Sequence, residues 1–106
     1  MIPTLNEGSR CFVKAKFFDR FEEPQIASSL QYRVDCETTQ TAILDWQTIT
    51  PAAVVEVQID ATLNVIINRG NVVERKAVTF RANADPPEGA FTGVQFFDLI
   101  NLQGVT

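Results

Sequence analysis

The sequence contains no histidine, and each further scarcity narrows what the chain can do. Without imidazole, the side chain that most readily exchanges a proton near neutral pH is missing, and so is the commonest metal ligand. Ser-His-Asp and Cys-His arrangements are excluded, so the serines and cysteines lack their usual activating base. Two cysteines, Cys11 and Cys36, are too few for a disulfide framework. They read as small buried hydrophobes, and spacing leaves their pairing open; a bridge would stabilise by about 3 kcal/mol through loop closure. Five scattered glycines supply no phosphate-cradling loop, and Cys-x-x-Cys does not occur. No run of about twenty apolar residues is present to cross a bilayer as a helix. The first ten residues lack the basic head and apolar stretch of a secretory signal, so synthesis in a cytoplasm without export by that route is expected.

Charge is scarce in one sense only: nine Lys and Arg face thirteen Asp and Glu, for a net charge of −4. Divided at Ala53, each half carries −2, so neither a basic tail nor an acidic arm exists. Such a surface repels phosphate backbones, and neither nucleic acid nor membrane is expected as a partner. The carboxylate pairs Glu22/Glu23 and Asp85/Glu88 fall in expected loops, where nothing would raise a pKa. Asp60, Asp85, Glu88 and Asp98 show no Asp-x-Asp spacing of a calcium loop. The expectation is a non-enzyme with no cofactor and no metal.

What is present is apolar material in alternation. Hydrophobic residues make up 45% of 106 residues, enough for one core, with an expected radius of gyration of about 13 Å. Cys11, Val13, Ala15 and Phe17 fall on one face of an extended segment, and Phe12, Lys14, Lys16 and Phe18 on the other. Leu30 to Cys36, Ala42 to Trp46 and Val55 to Ile59 repeat the pattern, and Leu63 to Ile67 reads as a short buried strand. Asn68 to Asn71 is a turn in which Gly70 and the asparagines tolerate positive φ. Val72 to Ala82 and Phe91 to Leu102 are the last strands, separated by a stretch with adjacent prolines. The fold class expected is all-β: an antiparallel, immunoglobulin-like sandwich of about seven strands, with a small closed barrel as the alternative. Residues 1–10 and 102–106 are expected to be extended or flexible ends of this single domain, 1–106.

Eight phenylalanines are many for this length, and four occur as the doublets Phe17-Phe18 and Phe96-Phe97. Neighbours on a strand point to opposite faces, so each doublet sends one ring outward if the other faces the core. Phe12, Phe18 and Phe97 are the expected interface residues, ringed by Lys14 and Lys16. The competing arrangement has these rings covering the sandwich ends. Trp46 and Tyr32 are expected in the core.

The order of Ala15 to Asp19, Leu30 to Asp35 and Ile43 to Trp46 resembles small immunoglobulin-like or fibronectin-III-like sandwiches of tailed bacteriophages, and Glu74 to Ala82 is similar to their penultimate strand. These landmarks span about two-thirds of the chain. The resemblance implies a virion-associated structural or adaptor module on capsid, neck or tail. It would be assembled in the host cell, contact other virion proteins and form homo-oligomers in the particle. It carries over no functional residue. Cys11 and Cys36 do not bracket Trp46, so the inter-sheet disulfide of antibody domains is not implied. The alternative is a glycan-binding accessory module, which would need an exposed Trp or Tyr.

Overall fold

Seven strands realise the alternation: β1 (Thr4–Asn6), β2 (Cys11–Lys16), β3 (Ser29–Cys36), β4 (Thr41–Thr48), β5 (Val54–Ile59), β6 (Val73–Asn83) and β7 (Ala90–Ile100). They are seen in a computed structural model that describes residues 2–18, 21–23, 26, 28–83 and 90–102, with backbone only at 90 and 91. One sheet has five strands in the order β1-β7-β6-β3-β4, and the other pairs β2 with β5. The five strand pairings among the described residues are antiparallel except β1 with β7, which runs parallel with Thr4 opposite Asp98. This all-β, two-sheet arrangement is the sandwich-like architecture that the period-two pattern predicts.

Period two sorts the side chains as expected. Along β2 buried and exposed residues alternate without exception from Cys11 to Lys16, and β5 does the same from Val54 to Ile59. The two strands register Val13 on Val57 and Lys14 on Glu56, so one face of the pair is apolar and the other charged. The apolar face packs on Leu30 and Val34 of β3, Val78, Phe80 and Ala82 of β6, and Phe97 of β7. Burying each of the larger of these side chains stabilises the fold by roughly 1.5–3 kcal/mol. Phe17 meets Phe80 edge-on at 6.5 Å between ring centroids, the geometry the ring quadrupoles favour.

Four local expectations change. Leu63 to Ile67 is not a strand: a 3-10 turn at Ala61–Leu63 leads into a loop crossing one end of the sandwich. The cause is Asn64, which is buried and bonds the N-terminal turn, its Nδ2 donating to Ser9 O (2.6 Å) while Gly8 N donates to its carbonyl (2.7 Å). Within the first ten residues, Thr4–Asn6 forms a strand, so the sheets are not wholly antiparallel. The turn at Asn68 to Asn71 forms, closed by Asn71 N on Asn68 O (2.9 Å), yet Gly70 is not left-handed. Asn68 Oδ1 caps it by accepting from Gly70 N at 3.0 Å. The radius of gyration is 15.3 Å, with extents of 52 × 23 × 18 Å. Two paired strands of eleven residues, each about 36 Å long at 3.3 Å per residue, draw the sandwich out along one axis.

Candidate protein-docking face

The outward face of β2 continues the strand's parity on both sides, through Arg10, Phe12, Lys14, Lys16 and Phe18. Phe12 is 56% exposed and Phe18 53%, so both predicted rings stand in solvent. Lys14 faces Glu56 of β5 at 4.0 Å across an exposed pair. The result is two separated aromatic groups with cations between and beside them, the composition of an interface anchor and its rim.

Phe97 does not join them on the surface. It is 2% exposed and belongs to the core, because its place opposite Lys76 gives it the inward parity of β7, shared with Leu99. Its neighbour Phe96, opposite Ala77, is the outward ring of that doublet and is half-buried. Phe97 and Phe12 nevertheless meet across a hollow of about 290 Å³ between β2 and β7, which Leu5 and Cys11 also line. Phe18 lines a second hollow of about 320 Å³, with Phe17 and Phe80 beneath it. The structure thus brings Phe12 and Phe97 to one opening and Phe18 to the next along the same strand.

Tyr32 is half-buried and packs on the core as expected, with its ring 6.4 Å from Phe80. Trp46 is not a core residue. A register shift in the β3–β4 ladder between Tyr32 and Val34 puts Trp46 on the outer face beside Arg33. The guanidinium of Arg81 lies 4.0 Å over its ring and that of Arg33 at 5.6 Å, both stacked as cations on a π face. Arg33 is fixed in turn by a fork to Asp35 at 2.9 and 2.7 Å.

The most unusual chemistry was not singled out from the sequence. Glu74 and Lys76 are both fully buried and pair at 3.1 Å on the inward face of β6. Glu74 accepts from Ile67 N (2.7 Å), Asn68 N (2.8 Å) and Asn71 Nδ2 (3.1 Å), with the Cys36 thiol at 3.7 Å. Lys76 donates also to Val65 O at 3.0 Å. Burial pushes the Glu74 pKa up, but the amides of Asn68 and Ile67, the Asn71 side chain and Lys76 outweigh it and hold the carboxyl at about 2. Every partner belongs to the chain, and no part of the pair reaches solvent; the cluster ties the β5–β6 loop to the sheet. Parity could have found it, since residues 74 and 76 share the face of Val78, Phe80 and Ala82.

Of the acidic pairs, Glu22 and Glu23 are exposed, and Asp85 and Glu88 lie outside the described residues. Cys11 and Cys36 are both buried and free, and burial pushes the Cys11 thiol pKa up, away from thiolate chemistry. Among the described residues, no group of three or more Cys, Asp or Glu is placed to hold a metal ion, and no helix is long and apolar enough to cross a membrane. In comparisons with known proteins, no family model, no curated protein and no solved structure matches this chain.

Proposed function

We propose that the chain is a non-catalytic structural or adaptor protein of a tailed bacteriophage virion, a capsid decoration or neck or tail component, acting through protein–protein contacts. The observation that carries the contact reading is the stripe that β2 begins and its flanks continue: Phe12 on the strand and Phe18 just past its end are exposed among Arg10, Lys14 and Lys16. Two large rings held in water by a rigid element lose little conformational entropy on docking, and the cations favour one orientation of the partner. The virion assignment is supported by the sequence resemblance. The two-sheet, all-β arrangement, β1-β7-β6-β3-β4 beside β2-β5, is compatible with a sandwich of that kind. The likeness is one of architecture, which many functions share. Mass spectrometry of purified particles from cells producing the protein tests the assignment: the chain is expected at a fixed copy number per particle, and its absence overturns the virion reading.

One observation favours a second reading, a glycan-binding module: Trp46 stands on the outer face of the large sheet and not in the core. A glycan array with wild-type and Trp46→Ala proteins tests it. Hits that vanish in the variant support glycan recognition, and an array without hits removes it.

A further inference from the structure

The small sheet is two strands wide and the large one five, so at about 4.8 Å per strand the large sheet is wider by about 14 Å. Among the described residues, one flank, beside β2, is uncovered. That strand pairs with β5 on one side only, and β1 covers β7 only opposite Asp98–Ile100. The neighbouring stretch 92–97 of β7 therefore has an open edge facing the open edge of β2. Among the described residues, the bond that spans them is Gln95 Nε2 donating to Lys14 O at 3.2 Å. The two hollows lie in line along this flank, share Gln95, and have core rings at their base, Phe17 and Phe80 in one and Phe97 in the other.

Charge distinguishes the flank from the rest of the molecule. Arg10 and Lys14 line one hollow and Lys16 the other, and among the described residues no carboxylate lines either, although the chain carries −4. Residues 90–97 of β7 are uncharged. Glu56 meets Lys14 from β5, on the side of β2 away from the flank.

We propose that this flank receives one extended segment of another protein, added as a third strand beside β2, apolar on its inward face and acidic on its outward face. The inference rests on the docking reading above and names its edge and the chemistry of its occupant. Backbone groups of β2 left open on that edge would gain ladder partners, as in other cases of strand addition. Alternate apolar side chains of the segment would enter the two hollows, displacing Gln95 from Lys14 O. Its acidic side chains would lie beside Lys14 and Lys16. From Arg10 to Lys16 the edge accommodates about seven residues, roughly 23 Å.

The probe is a nine-residue peptide alternating glutamate and valine, with a lysine-for-glutamate peptide as control, titrated into the ¹⁵N-labelled full chain. Amide shifts confined to residues 11–18 and 92–97 are expected, with slowed exchange at the open-edge amides of β2. The lysine peptide should not bind at tenfold higher concentration. A Lys14→Glu/Lys16→Glu protein, altered only at exposed positions, should lose at least tenfold in affinity. Equal binding of both peptides, shifts on β4 instead, or no shift at millimolar peptide overturns the proposal. Shifts that track the concentration of the protein itself, without peptide, also overturn it, assigning the flank to a second copy. Loss of Phe18→Asp from particles without peptide binding would remove the flank as a strand site and leave the docking reading standing; peptide binding with normal incorporation of Phe18→Asp would do the reverse.

Discussion

The inward face of β6 satisfies burial in two opposite ways within five alternate positions. At one end Val78, Phe80 and Ala82 pack into the apolar core, while at the other Glu74 and Lys76 are buried as ions. The apolar end is held by removal of surface from water and tolerates changes in proportion to the volume removed. At the ionic end, desolvating two charges is offset only because donors and acceptors converge on them from the β5–β6 loop. That end therefore behaves as a unit: its contribution is the position of the loop, and half of it is worse than none.

Removing one charge breaks the comparison most sharply. Glu74→Gln leaves a buried ammonium without its counter-ion and is expected to destabilise by about 3–5 kcal/mol at pH 7 in denaturant unfolding. Replacing both residues with aliphatic side chains, Glu74→Leu with Lys76→Met, should cost less than the single change, because no unpaired charge remains. At the other end, Phe80→Ala should cost about 3–5 kcal/mol through the cavity it leaves, without altering the acid sensitivity of the protein.

Acid separates the two ends further. The carboxyl of Glu74 is held at about 2 against an ordinary value of 4.5, so its contribution is fully present above pH 4.5 and is lost as pH falls through about 2. Over that window wild type should lose about 3 kcal/mol from this group, and the Leu/Met variant should lack the component. The smallest effect belongs to the outward face of β2. Phe12→Ser and Phe18→Asp, on exposed side chains, should change stability by no more than about 0.5 kcal/mol in the same unfolding measurement.

Much of this architecture was legible in the alternation of side chains, because a half-buried strand writes its two faces directly into sequence. Cys11 to Phe18 is the plainest case, and it gave both exposed rings, Phe12 and Phe18. The rule that a doublet splits between faces also held at Phe96-Phe97, but not the choice of ring, since parity across β7 is fixed by its register with β6. Trp46 was misjudged for a related reason: a register shift is invisible in composition and reversed its face. Leu63 to Ile67 looked like a strand because four of its five residues are aliphatic, while its structure is decided by bonds from Asn64 to Ser9 and from Lys76 to Val65. The ionic pair went unnoticed because charged residues are ordinarily read as solvent-facing, although their parity with Val78 and Phe80 marked them as inward.

The contact role of the β2 stripe is tested most directly by competition during assembly. Wild-type and Phe18→Asp chains, matched in unfolding midpoint and expressed together, are quantified by mass spectrometry in purified particles. Wild type should be incorporated and the variant depleted at least tenfold. Equal incorporation of the two chains would contradict the account.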